Sequence, residues 1–467
     1  MQKSKTLKQI AALLLAGALS VGLFAGCNGG TSSSSAPAES TASSASESES
    51  EAPASESEAA SEAPATEGGE ATIRMAWWGN QLRNDGTVAM LDAFVAENPN
   101  VKYEAEFTDW SGYWDKLATQ AASNNLPDII QQDYMYIAQY HAKGQLASLT
   151  EQVTAGNLNI DNVSESILAT GSFDGELFAL CAGVNAVGML YNVRMAEEAG
   201  VTIPERFTYD ELMALNAQVF EATGIKGMTP AGGGGMQMMC RDVGELYLDP
   251  ETNTMTASET TVNKYFQQVK ATIDSPWSVS VDIMQEDVTS GVENSSISTM
   301  KTWNFYPGGS NQVAAYEAPM DDSLDMAMYP KRDDATQESM YLRPSQFWSI
   351  TATSEHKDVA ARIIDYFTNN EKAQDILQAE RGVPVSSVMA EYLQPQLDEV
   401  QQRVFAYIAE VTEVAVPFDP PQPNGTNEVN KLLDDLTDLV RYGELTPEAA
   451  AERFLAEADG ILASANA

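Results

Sequence analysis

Beyond residue 70 the apolar positions first repeat every second residue and then every third or fourth. In ATIRMAWW, Ile73 and Met75 share a face, which predicts a strand. In DGTVAMLDAFVAENP, Val88, Leu91 and Val95 recur at helical spacing and stop at Pro99, after which VKYEAEF alternates through Val101, Tyr103, Ala105 and Phe107. A second helix is expected from about Tyr113 to Asn124, followed by the short apolar strand DIIQQ. Strand, helix, strand, helix, strand with short connections predicts a parallel α/β sheet. Ligands of such sheets bind beyond the carboxyl ends of the strands. Trp77, Trp78 and Gly79, then Asp109 and Trp110, then Asp133 and Tyr134 therefore fall on one rim.

Further along, FTYDELMALNAQVFEATG carries a capping box at Thr208 and Glu211, a buried stripe of Leu212, Leu215 and Val219, and a left-handed stop at Gly224. NEVNKLLDDLTDLVRYG repeats the pattern through Val429, Leu432, Leu436 and Leu439. Thr446 then caps the last helix, with Pro447 at its first position. LYLDPETNTMTAS reads as a hairpin. The 397 residues of 71–467 exceed one compact core, so two domains are expected.

The start of the chain has a different character. Lys3, Lys5 and Lys8 precede an apolar stretch from Ile10 to Phe24, about 15 residues where a bilayer span needs roughly 20, which predicts an export signal over 1–26. Residues 28–70 hold nine Glu, no Lys or Arg, and mostly Ser, Ala, Thr, Gly and Pro, the composition of a disordered tether. The rest keeps 58 of the 67 acidic residues and 23 of the 26 basic ones, a charge of about −35 that argues against nucleic acid as a partner. Cys181 and Cys240 are expected as two buried free thiols, and two histidines are too few for a zinc site, so no metal or cofactor is expected.

Resemblance to known families sharpens the picture. LFAGC resembles the lipobox of bacterial lipoproteins, which implies a diacylglyceryl group on Cys27 and, with the long spacer, an anchor on the outer membrane face in the Gram-positive manner. WWGNQLR and DWSGYWDKLATQAASNNLPDIIQQDYMYIAQYHAKGQLASL resemble the first lobe of the family 1 extracellular solute-binding proteins of sugar importers. FDGELFALCAGVNAVGMLYNVRMAEEAGVTIPERFTYDEL is similar to that family's crossing into a second lobe, SSISTMKTWNF to its strand ending in a ligand-contacting Trp, QFWSITATSEHKDVAARIIDYFTNNEKAQDILQAERGVPVS to its return, and RYGELTPEAAAERFLAEADGIL to its closing helix.

The resemblance implies an α/β, two-lobed periplasmic-binding-protein-like fold, each lobe a parallel-rich sheet flanked by helices, with the ligand cleft between the lobes. It divides the chain into lobe 1 (71–183 plus 347–380) and lobe 2 (184–346 plus 381–467), after a lipidated Cys and tether over 27–70. The implied function is carbohydrate capture for the permease subunits of an ABC transporter, by a monomer held to the membrane through its lipid. It lays Trp78, Trp110, Trp303 and Trp348 along the cleft, with Trp303 as the aromatic anchor, and sets Asn185 where a sugar hydroxyl is bound. Trp77, Trp114 and Trp277 are assigned to packing.

Arg83 and Arg343 can fork to paired hydroxyls or to a carboxylate, whereas Arg381 suits an interlobe salt bridge equally well. Asp133 ends a buried strand, where an unpartnered charge is costly, and Tyr134 adjoins it. AGGGGMQMM lacks the Gly-Lys-Ser/Thr of a phosphate loop and reads as a flexible loop. Asp321, Asp322 and Asp325 read as a solvated face. The competing readings are a secreted glycoside-active enzyme, which needs a carboxylate pair, and a wall polysaccharide adhesin.

Replacing the anchor residue tests the first of these expectations. Cys27→Ala is expected to move the protein from the membrane fraction into the medium, as cell fractionation would record, and a variant that stays with the membrane overturns the lipid anchor.

Overall fold

The computed structural model describes residues 70–465, so the export signal, Cys27 and all of the tether but Glu70 lie outside the described residues. The opening alternation forms β1 (Ala71–Trp78). Ile73, Met75 and Trp77 enter one core while Ala76 and Trp78 enter another, so this strand is covered on both faces, as central strands of parallel sheets are. β2 (Val101–Thr108) pairs with it in parallel from Ala71↔Val101 to Trp78↔Thr108, and β3 (Ile129–Gln132) pairs in parallel on its other side.

Each of these strands runs straight into a helix whose first turn is capped by a polar side chain. Asn80 accepts from the Arg83 amide, Asp109 from Gly112 and Asp133 from Met135. The caps bring Arg83, Trp110 and Tyr134 to the strand ends. They also start the second helix at Trp110, earlier than its apolar spacing suggests.

β4 (Ser172–Phe173) and β5 (Glu176–Leu177) form a small hairpin before β6 (Leu180–Cys181), β7 (Val184–Ala186) and β8 (Met189–Asn192). β9 (Leu248–Asp249) and β10 (Thr254–Met255) are the expected hairpin. β11 (Asn304–Phe305), β12 (Leu324–Ala327), β13 (Leu342–Pro344) and β14 (Phe347–Ile350) complete the strands among the described residues. The first sheet has the order β2-β1-β3-β14-β6, with β14 antiparallel to both neighbours.

The second sheet, β11-β8-β12, is antiparallel throughout, which corrects the expectation of a parallel-rich sheet in that lobe. Parallel pairing survives there as single bridges such as Lys226↔Thr302 and Gly227↔Ser278. The Asn304 side chain accepts from the Met228 amide at 2.9 Å and donates to its carbonyl at 3.0 Å. Both backbone groups that would extend the ladder are thereby occupied.

AGGGGMQMM is a second correction, because it forms a helix, Gly232–Arg241. Met236, Met239 and Cys240 are buried in one core with Val429, Leu433 and Phe454, and that burial outweighs the poor helix propensity of glycine. A Cβ on Gly233 would sit 2.5 Å from Asn430 Oδ1, so the bare backbone permits the close approach. The helix Tyr209–Thr223 has the expected capping box and its Gly224 stop at φ 74°. Pro447 opens the last helix, Pro447–Ala465, with Thr446 Oγ accepting from the Ala449 amide. Among the described residues no helix is long and apolar enough to cross a membrane.

The chain passes between the two sheets at three places that lie side by side. β7 pairs with β13 through Arg343↔Asn185 and Pro344↔Val184, and Val184 also bridges Val383. A Cβ on Gly183 would stand 2.5 Å from the Arg381 carbonyl oxygen. Gly183→Ala is therefore expected to destabilise the fold by about 1–3 kcal/mol, since backbone must shift to admit one methyl group. Urea denaturation checks this, and an unchanged midpoint would show that the crossings have slack.

Candidate ligand-binding cleft

Where the strand ends of the first sheet face the β7–β13 ladder, a cleft of about 1320 Å³ opens. Arg83, Asp133 and Tyr134 line it from the first sheet, and Asn185 and Arg343 from the crossing strands. The arrangement thus brings together five of the nine residues proposed as ligand contacts. Gln237, Tyr341, Gln346, Glu380, Phe418 and Asp419 line it too, and none of these was singled out from the sequence. Gln237 stands on the helix that was read as a loop. Phe418 and Asp419 open a run, FDPPQPN, whose only signal was proline-rich irregularity between two amphipathic helices.

The four tryptophans laid along the cleft do not line the cavity. Trp303 is fully buried, its Nε1 donating to Asn216 Oδ1 at 2.7 Å amid Met189, Phe207, Leu212 and Val219. Trp348 is also fully buried. The guanidinium carbon of Arg381 lies 5.2 Å from its ring centre, so it supports a cleft residue from behind. Trp78 packs among Trp110, Tyr113 and Trp114 at ring separations of 4.9 to 5.6 Å. Trp110 is 42% exposed, yet it stands on the strand-end rim outside the cavity. For Trp78, Trp303 and Trp348 the physical cause is common: indole rings bury more area in a core than an open cleft offers. Trp77 and Trp277 are buried as expected.

The charged groups are mostly tied to one another. Arg83 Nε donates to both oxygens of Glu380, at 3.1 and 2.9 Å. Arg381 is 4% exposed and donates to Thr87 Oγ at 2.9 Å. Arg241, buried behind the cleft, pairs with Asp419, donates to the Ser339 and Pro417 carbonyls at 2.7 and 2.9 Å, and faces the Tyr341 ring. Gln237 Nε2 donates to the same Asp419 at 2.7 Å. Together these contacts clamp the Phe418–Asp419 segment, and the Tyr134 hydroxyl reaches across to the Asp419 carbonyl at 3.1 Å. Burial pushes Asp133 above the usual carboxylate range, partly opposed by the Met135 amide and the positive charge of Arg343.

Asp322, expected on a solvated face, instead holds Arg194 at 2.7 Å and the Asn192 side chain at 2.9 Å, because Asn192 is a buried helix cap that needs an acceptor. Cys181 and Cys240 are free and buried, and burial pushes the Cys181 thiol up to about 12. Among the described residues no cluster of His, Cys, Asp or Glu could hold a metal ion.

Two α/β lobes, joined by three adjacent crossings and lined at their meeting by amides, guanidiniums and aromatic rings, define a binding protein for a small solute. Residues 89–406 match the family described as bacterial extracellular solute-binding protein, and the chain belongs to that family. An extracellular solute-binding protein family 1 member from Alicyclobacillus acidocaldarius is 26% identical with a TM-score of 0.78, over 84% of this chain and 98% of that one. A periplasmic oligogalacturonide binding protein from Yersinia enterocolitica is 22% identical with a TM-score of 0.69, over 84% and 99%. An ABC substrate-binding protein from Listeria monocytogenes in complex with cycloalternan is 19% identical with a TM-score of 0.60, over 85% and 99%. The last two show a shared fold.

Its burial changes what Trp303 should do when replaced. Trp303→Ala is expected to cost about 3–5 kcal/mol of stability, the range for emptying a buried aromatic site. Chemical denaturation followed by circular dichroism checks this. A loss below about 1 kcal/mol would overturn this packing role for Trp303.

Proposed function

We propose that this chain captures an oligosaccharide outside the cell and hands it to the permease subunits of an ABC importer. The observation that carries the reading is the cleft itself, roomy enough for several sugar units and lined by planar amides (Asn185, Gln237, Gln346) beside the rings of Tyr134, Tyr341 and Phe418. Amides and guanidiniums match the paired hydroxyls of a pyranose, and rings cover its apolar face. Proteins of the same fold bind oligogalacturonide, cycloalternan and acarbose, which supports the class of ligand.

In this reading Arg83, Asp133, Tyr134, Asn185 and Arg343 contact the sugar, and exposed Trp110 offers an outer stacking surface on the same rim. On the same reading lobe 1 is 71–183 plus 347–380 and lobe 2 is 184–346 plus 381–467, except that the helix Ser387–Leu393, which packs against Lys357–Asn369 and Glu371–Leu377, goes with lobe 1. The lipid on Cys27 holds a monomer at the membrane surface.

A glycosidase needs two carboxylates free to act on one bond. In this cleft Glu380 is held by Arg83 and Asp419 by Arg241, which leaves Asp133 alone and favours binding over catalysis. The adhesin reading predicts polymer binding without closure, whereas three adjacent crossings form a hinge. A thermal-shift screen of oligosaccharides is expected to find ligands that raise the melting temperature, without cleavage products, and small-angle scattering with such a ligand is expected to show contraction. Absence of any shift across the screen overturns the carbohydrate reading, and an unchanged scattering profile at saturation overturns the hinge.

A further inference from the structure

We infer that the cleft is built for a saccharide that carries a carboxylate, with Arg343 as the residue that selects it. This rests on the carbohydrate reading above and narrows it to one chemical class. The starting observation is how the arginines are paired. Twelve arginines lie among the described residues, and ten of them form ion pairs with Asp or Glu. Arg343 and Arg362 do not, and of these two only Arg343 lines the cleft. A body with 58 acidic residues against 23 basic ones has an acid within reach of almost every guanidinium. The exposed Arg343 makes no such ion pair, although Asp133 is near enough to feel its charge, and its fork is therefore available to a ligand.

A second guanidinium in the same cavity is also short of acceptors. Arg381 is 96% buried, lines the cleft, and has no hydrogen-bond acceptor at Nε or Nη1. Its nearest carboxylate, Glu380, is 3.8 Å from Nη1 and is already engaged by Arg83 at 2.9 Å. Burial first, and then the charge of Arg83, push Arg381 down to about 9, with Glu380 opposing.

Strand pairing brings these groups close along the backbone. Arg343 is in register with Asn185, and the adjoining Val184 bridges Val383, two residues beyond Arg381. Three guanidiniums line the cleft and one more, Arg241, braces it, while Asp133, Glu380 and Asp419 are its carboxylates. The lining groups alone are three of each sign, but Glu380 is taken by Arg83 and Asp419 by Arg241, so Asp133 is left facing both Arg343 and Arg381. Neutral hydroxyls can accept from a guanidinium, but they leave one of these two charges unbalanced in a site where desolvation makes imbalance costly. A carboxylate accepts both arms of the fork and removes the excess.

Isothermal titration of the folded protein with trimers of galacturonate, glucuronate and mannuronate, each beside its uncharged methyl ester, tests this. At least one trimer is expected to bind tighter than its ester by about tenfold or more, a margin that narrows as salt rises. Arg343→Gln should abolish that margin by weakening the acid trimer far more than its ester, and Arg343→Lys, which keeps the charge but loses the fork, should restore part of it. Circular dichroism confirms that each variant folds. Esters binding as tightly as the acids, or an Arg343→Gln protein that keeps the margin, would overturn the inference. If only a neutral probe such as maltotriose binds, carboxylate selection falls while carbohydrate binding stands; if no saccharide binds, the carbohydrate reading falls as well.

Discussion

Three stretches of backbone touch where the lobes join, and their closeness is set by two glycines. Gly183 has no room for a Cβ against the Arg381 carbonyl, and Gly382 takes φ 105° with its missing Cβ only 2.9 Å from the Val184 carbonyl oxygen. At such separations the amides and carbonyls of Val184 and Val383 bond reciprocally, at 2.9 and 3.0 Å. Ser345 then donates to the Gly183 carbonyl from its amide at 2.9 Å and from its hydroxyl at 2.7 Å. A joint made of backbone bonds keeps its register while φ and ψ at a few residues change, which suits a hinge.

The same joint determines which side chains line the cleft. Asn185 and Arg343 come from paired strands of the crossing and Arg381 from the turn just before the Val383 bridge beside them, so on the proposed reading bending there carries these groups along. What stands behind these groups keeps them in place. The rings of Trp348 and Phe367 lie 5.2 and 5.6 Å from the Arg381 guanidinium, and Arg241 fixes the segment carrying Phe418 and Asp419. Tyr134 then bonds from one lobe to the Asp419 backbone of the other, and its ring lies 5.2 Å from that of Phe418 beside it.

The elements legible in the sequence were those with a local physical signal. β1, β2 and β3 follow from alternation, the helix after Thr208 from its capping box, and the last helix from Thr446 and Pro447. Family resemblance supplied the two-lobed order, and with it the neighbourhoods of Asp133, Asn185 and Arg343. That Trp303 and Trp348 lie away from the cavity was not legible, because residue type says that a ring is valuable and not which side of the strand it occupies. Trp303 and Trp348 both turn into cores, a matter of sheet packing that no local pattern records. Gly232–Gly235 looked unstructured because propensity alone argues against a helix there. Burial of Met236 and Met239 reverses that balance, and the helix it creates carries Gln237 into the cleft.

Charge acts differently at the two length scales of this molecule. The body as a whole carries about −35, a field that salt screens over roughly 8 Å under physiological conditions. Inside the cleft low-dielectric walls shield groups from that screening, so the balance among a handful of guanidiniums and carboxylates outweighs the distant surface acids. An acidic exterior keeps such a protein soluble and discourages loose association with anionic surfaces. It gives an approaching anion no attraction, so on the proposed reading discrimination rests on contact in the cleft, with Arg343 on β13 and Arg381 in the turn before Val383.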